Sequence, residues 1–292
     1  MGKVSSTSNL PSNASLSYSL EHLRSFVTME EAETDNWQPL TGLSTLQLSH
    51  AGQAKFLHHF ERLKQMWNIS GCYTVRSGNN FPSDCGLASS ASSFAALTLA
   101  TWEIAKRQGA GEISREQLSR VSRWGSGSSC RSLFSPWAIW RGEGAESLNL
   151  PVHLEHAVVM VAEGKKAVSS SEAHSRVSTS LLFQGRGERA ETRMALLIEA
   201  LKSGQWREAY ELCWAEFWDM HALFESSQPG FGYMTEGTIS VLNILRQVWA
   251  EGGDGPLVTM DAGANVHVLL RPEQTARADK WLAGLNVIKS WS

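Results

Sequence analysis

"CGLASSASSFAALTLATW", residues 85–102, is built almost wholly from glycine, serine and alanine as far as Ala96, then runs on as an alanine–leucine helix. At helical spacing Ala91, Phe94, Ala95, Thr98 and Trp102 share one face, while Leu97, Ala100 and Ile104 occupy another. The segment is therefore apolar nearly all round, the pattern of a buried helix. Small residues add little to a core, but they let a ligand approach the backbone. The first N–H groups of a helix lack partners inside it and lie at the positive end of its dipole. Gly86, Leu87, Ala88, Ser89, Ser90 and Ala91 are thus a candidate cradle for phosphates. No Gly-Lys-Ser/Thr follows, so the stretch is not a P-loop. From these residues alone, a serine-capped helix packed closely on its neighbours is an equally open reading.

Around this helix the chain is mixed. Strand alternation marks "GCYTVR" (71–76), "HAVVMVA" (156–162), "PLVTMDA" (256–262) and "VHVLL" (266–270), the last two predicted to form a hairpin across Gly263, Ala264 and Asn265. Helical spacing covers 52–67, 90–107, 114–123, 190–203, 206–221 and 236–250. Strands and helices interleave without strict βαβ alternation, which predicts an α+β fold. "RGEGAESLNLP" (141–151) carries Gly, Ser, Asn and Pro punctuation and is the candidate boundary between two domains, 1–150 and 151–292.

At 292 residues, with 26 Lys+Arg against 29 Asp+Glu and no long charge run, the chain lacks the broad basic footprint that nucleic acid requires. No apolar run reaches membrane-spanning length and no signal peptide is read. Cys72, Cys85, Cys130 and Cys213 stand far apart without a CxxC pair, so neither a zinc site nor a disulfide framework is expected. Reduced thiols point to the cytoplasm. "GRGERA" (185–190) fits a dinucleotide fingerprint on paper, but it follows no good strand. "HLEH" (153–156) and "HH" (58–59) lack companions at zinc spacing, and His221 reads as a core or interhelical side chain. Asn80 reads most economically as a turn residue.

"NNFPSDCGLASSASSFAAL" (79–97) closely resembles the phosphate-binding motif of the GHMP kinase superfamily, in the version carried by diphosphomevalonate decarboxylases. Further segments resemble that family in order: "NLPSNASLSYSL" (9–20), "GSGSSCRSLF" (125–134), "KKAVSSSEAHSRVSTS" (165–180) and "TMDAGANVHVLL" (259–270). The resemblance implies a two-domain GHMP kinase fold, with an N-terminal ATP-binding domain like domain 2 of ribosomal protein S5 and a ferredoxin-like C-terminal domain. It implies ATP-dependent decarboxylation of mevalonate 5-diphosphate to isopentenyl diphosphate, using ATP and Mg2+, in a homodimer. A phosphomevalonate decarboxylase, a mevalonate 3-kinase and a catalytically silent homologue are the alternatives.

By the same resemblance Asp261 is the base for the substrate's tertiary hydroxyl, which needs a proton acceptor within hydrogen-bond reach. A turn-capping aspartate is the structural alternative for that position. Arg131 would hold the substrate carboxylate through its planar fork. Ser126 and Ser128 would donate hydroxyls beside Gly127, and Lys3 and Arg186 would contact the diphosphate. Ser89 and Ser90 would lie on the ATP phosphates. Departures stand beside these matches. The family's opening strand and first lysine precede a motif of which "MGKVSS" holds only the last lysine. Asp84-Cys85 replaces two alanines, Ala264 and Val266 replace Pro and Ala, and "EFWD" (216–219) replaces a more polar run.

Overall fold

The computed structural model of the chain describes residues 2–5, 9–43, 48–82, 87, 89–162 and 167–292, with the side chains of 3–5 excepted. In chain order, the first part contains β1 (Lys3–Ser5), β2 (Leu10–Pro11), β3 (Ser15–Tyr18), β4 (Ser25–Ala32), β5 (Asn36–Pro39), α1 (His50–Met66) and β6 (Cys72–Asn79). It continues through α2 (Ser89–Arg107), α3 (Arg115–Gly125), a 3-10 turn (Gly127–Leu133), β7 (Trp137–Arg141), β8 (Gly144–Ser147) and β9 (Glu155–Val159). The last part holds α4 (Ser170–Arg176), α5 (Arg186–Lys202), α6 (Trp206–Glu225), α7 (Glu236–Gly252), β10 (Leu257–Met260), β11 (Val266–Leu270), α8 (Thr275–Trp281) and β12 (Val287–Lys289).

The strands form small sheets in the orders β4-β6-β5, β3-β7-β8 and β10-β11-β9-β12, with β1 paired to β2. The content is α+β, as expected. The predicted hairpin forms with Met260 opposite Val266 and Thr259 opposite His267. β11 pairs with β9 so that His267 faces Val158. The stretch 141–151 is more regular than its punctuation implied. Gly142, at φ +55°, turns the chain so that Gly144–Ser147 pairs back onto β7, because a strand with an open edge supplies ladder partners that composition does not reveal.

Two apolar cores position the site. The first joins α1 and α2 to β6 and β7 through Phe56, Phe60, Val75, Phe94, Leu97, Trp102 and Trp140. The second lies between the β10-β11-β9-β12 sheet and helices α5, α6 and α7, and it takes in Trp137 and Ile139 from the β3-β7-β8 sheet and Ala14 just before β3. Helix ends carry their own signals. Ser114 and Gln117 form a capping box on α3, and Thr235 and Thr238 form one on α7, each pairing N–H groups that would otherwise be unmet.

Candidate active site

The nineteen-residue helix α2 starts at Ser89 and buries Ala91, Phe94, Ala95, Leu97, Thr98 and Trp102. It has no acidic residue in its first turn and Lys106 and Arg107 in its last. The positive end of its dipole is therefore unneutralised by its own first turn, which suits a phosphate. Ser89 is half-buried, Ser90 is exposed, and the Ser90 hydroxyl lies 3.4 Å from that of Ser126. Gly86 and Ala88 lie outside the described residues. Leu87 packs on the Val158 and Met160 cluster, which brings the mouth of α2 against one face of the β10-β11-β9-β12 sheet.

Strand alternation decides what else that face carries. Val158 stands opposite His267, His267 opposite Thr259, and Asp261 follows two residues on, in phase with Thr259. Successive side chains point to opposite faces, so Asp261 belongs to the face on which Leu87 rests. The His267 side chain registers it: burial lowers the pKa of this imidazole while the Asp261 charge pulls it upward. The Asp261 carboxylate is on an exposed residue. Its backbone carbonyl is held from below, accepting from Gly263 N at 2.8 Å and lying 3.1 Å from His221 Nε2. His221 is buried among Phe217, Phe224 and Tyr233, the core position its sequence context predicted. Asn265 completes the turn by accepting from Val161 N at 2.8 Å and Ala162 N at 3.1 Å, tying the hairpin to the end of β9.

The serine-rich turn after α3 is fixed by its own hydrogen bonds. Ser129 Oγ donates to the Ser126 carbonyl at 2.7 Å, Ser122 Oγ donates to Ser129 Oγ at 2.7 Å, and Ser119 Oγ donates to the Cys130 carbonyl at 3.2 Å. Ser126, Ser128 and Arg131 remain half-buried above this buried layer. Burial pushes the Cys130 thiol up to about 12, so it serves as a core residue and not as a thiolate. Arg131 Nη1 donates to Ser15 Oγ at 2.7 Å and its guanidinium lies 5.7 Å from the centre of the Trp140 ring. The segment containing Ser15 also joins the two halves: Asn9 Nδ2 donates to the carbonyls of Arg123 and Trp124, and Ala14 N donates to Glu191 on α5.

Arg186 is placed differently from a free phosphate-binding cation. It is 2% exposed and its guanidinium is taken up by Glu216 and Asp219 of α6, with Arg189 also on Asp219 and Arg193 on both carboxylates. Burial would raise the Asp219 carboxyl, but hydrogen bonds from Arg189 and Arg193 and the Arg186 charge hold it down at about 2. Of Lys3 only the backbone is described, in β1. Asn80 does act in a turn, donating to the His22 carbonyl at 2.8 Å and accepting from Arg24 N at 2.7 Å. Ser15, His22 and His267 were not singled out from sequence, and His156 was weighed there only within "HLEH" as a zinc ligand without companions, because nothing in their spacing links residues more than a hundred positions apart.

The start of α2 presents the Ser89 and Ser90 hydroxyls and the positive end of the helix dipole, the donors that a phosphate group would use. Among the described residues no group of three His, Cys, Asp or Glu could hold a metal ion. No helix among the described residues is long and apolar enough to cross a membrane.

Comparison with known proteins gives concordant matches. A diphosphomevalonate decarboxylase-like N-terminal domain model matches residues 1–149, and a mevalonate 5-diphosphate decarboxylase C-terminal domain model matches 156–287. A crystal structure of a mevalonate diphosphate decarboxylase from Legionella pneumophila is 41% identical, with TM-score 0.91 over 98% of this chain and 95% of that one. A solved complex described as MDDEF with MVAPP, AMPPCP and magnesium is 27% identical, with TM-score 0.85 over 100% of this chain and 94% of that one. The diphosphomevalonate decarboxylase of Ganoderma lucidum is 31% identical over 218 residues, 68% of this chain. The match spans only about half of that relative's length, 53%.

Proposed function

The chain belongs to the diphosphomevalonate decarboxylase family, and from that premise we propose that it uses ATP and Mg2+ to convert mevalonate 5-diphosphate into isopentenyl diphosphate, ADP, phosphate and carbon dioxide. The observation that carries this reading is the strand register: the face bearing Asp261 is the one on which the mouth of α2 rests, through Leu87. A phosphate donor at α2 and a proton acceptor at the sheet end thereby address one space.

Asp261 takes the proton of the substrate's tertiary hydroxyl as that oxygen attacks the terminal phosphorus of ATP. Mg2+, when bound, offsets the negative charge on the transferring group. Gly86, Leu87, Ala88, Ser89, Ser90 and Ala91 cradle the nucleotide phosphates. Arg131, oriented by Ser15, grips the substrate carboxylate with Ser126 and Ser128 beside it. Phosphorylation turns the hydroxyl into a leaving group, and its departure with both C–O electrons draws those of the C–CO2 bond into the new double bond. Lys3 and Arg186 serve the diphosphate tail, the latter once Glu216 yields it. The free thiols Cys72, Cys130 and Cys213 support a reducing cytoplasm, and a homodimer is the assembly we assign by family resemblance.

A second reading, action on mevalonate 5-phosphate, is favoured by one observation: Glu216 and Asp219 already engage Arg186, which reduces the positive charge available to a second phosphate. Release of phosphate and carbon dioxide from mevalonate, its monophosphate and its diphosphate separates these substrates. Asp261→Asn should retain ATP binding while turnover falls by about three orders of magnitude; turnover within a few fold of wild type would remove Asp261 from the base role.

A further inference from the structure

Three imidazoles form a hydrogen-bonded chain across the molecule. His22 Nε2 lies 3.3 Å from His156 Nδ1, and His156 Nε2 lies 2.9 Å from His267 Nδ1. His22 belongs to the turn before β4, whereas His156 and His267 sit on β9 and β11. Their face is the one that carries Val158, Met160 and, at its end, Asp261. The far end of the chain is anchored as well: Asn80, which lies between β6 and the serine-rich loop, clamps the His22 carbonyl and the Arg24 N–H. The chain thus runs from the entry of the α2 loop to the neighbour of Asp261.

We propose that His22, His156 and His267 are positioning residues, whose linked rings set where the Asp261 face stands relative to the start of α2. The proposal rests on Asp261 being the base. A tether of this kind matters because catalysis between groups on separate elements is lost with small displacements. Proton arithmetic makes it sensitive to acid. Each bond needs one N–H and one lone pair, so three neutral rings satisfy both bonds with their three protons. A fourth proton can occupy the remaining outer nitrogen, but a fifth must set N–H against N–H and part a bond. Burial lowers all three pKa values, and His156 is lowered further by its two histidine neighbours, so the chain is neutral at physiological pH. The charged and titratable groups around it are Glu155 beside His22, Glu21 and Arg24 on the same turn, Asp261 beside His267, and Tyr18 and His153 near Glu155. Lys289, on the neighbouring β12, is engaged by Asp279.

The test measures kcat and KM from pH 5 to 8 with ATP and mevalonate diphosphate for the wild type, His22→Ala and His22→Gln, with Asp261→Asn alongside. His22 is half-exposed on a turn, so its replacement spares the core. His22→Ala should lower kcat about fivefold while both KM values stay within about twofold. His22→Gln, whose amide N–H can stand in for Nε2, should restore most of the loss at neutral pH. The acid fall of kcat should be steeper in the wild type than in either variant. A wild-type kcat and pH profile in His22→Ala, with Asp261→Asn inert, would overturn the positioning role and leave the base intact. A His22→Ala loss that His22→Gln does not restore would also overturn it, whereas an active Asp261→Asn would strike down the base reading beneath it.

Discussion

Glu216 sits 39% exposed at the edge of a cluster whose centre, Arg186, is almost fully buried. Between them the two carboxylates Glu216 and Asp219 hold three arginines, and the resulting excess of positive charge is shared instead of being concentrated on one side chain. Any phosphate that reaches Arg186 must displace an existing partner, and stripping a buried charge of its partners is costly. If Arg186 serves the substrate tail, Glu216→Gln should lower KM for the diphosphate about threefold and leave KM for ATP unchanged, the scale of a half-exposed ion pair. Steady-state kinetics check this, and an unchanged diphosphate KM would take Arg186 out of the tail's site. Arg131 and Asp261 could be nominated from sequence because their flanking motifs are dense; Ser15 and Glu216 could not, because each meets its partner from elsewhere in the chain.

The elements meet most tightly where α3 ends. Gly125 closes α3 directly against α2, and a Cβ there would fall inside van der Waals contact with the Phe94 ring. Phe94 is itself buried between Phe56 and His59, so it has little room to withdraw. Gly125→Ala should destabilise the fold by about 1–3 kcal/mol through overpacking, measured as a shift in the urea midpoint at constant slope. It should also disturb the serine turn that begins at Ser126, because that turn is hydrogen-bonded back to α3 through Ser122 and Ser119. Long helices were legible in the sequence to within a few residues, since an apolar stripe over four or five turns needs no partner to be recognised. The shorter pieces were not. β3 is "SLSY", β4 is only half apolar and α4 spans seven residues; their backbone groups are paired by β7, by β6 and by a serine cap, which are tertiary or positional facts.

At the scale of the whole molecule, buried neutral histidines tie stability to pH. Burial drives His59 down to about 3 and lowers His22, His156 and His267 as well. A depressed pKa means that the unfolded chain binds protons that the fold refuses. Their contribution is therefore complete above pH 6.5 and is lost as pH falls toward the folded values, buried His59 giving up about 1.4 kcal/mol for every pH unit crossed between its unfolded and folded pKa and half-exposed His22 less. Asp219 adds a second loss, present above its ordinary carboxylate pKa of 3.8 and removed as pH falls toward 2. Thermal unfolding should show a melting temperature that is level from pH 7 to 8 and declines from about pH 6 downward; a flat profile to pH 4 would mean that these imidazoles are solvated. The sequence by itself determined the family, the α+β content and the long helices, because these depend on local spacing and on motifs read in order along the chain. Only the tertiary structure decided that Asp261 shares a face with the support of Leu87, that Arg186 is already bound and that three histidines span the halves. Strand register and ion pairing join residues far apart in the chain, and no local pattern encodes which of them will meet.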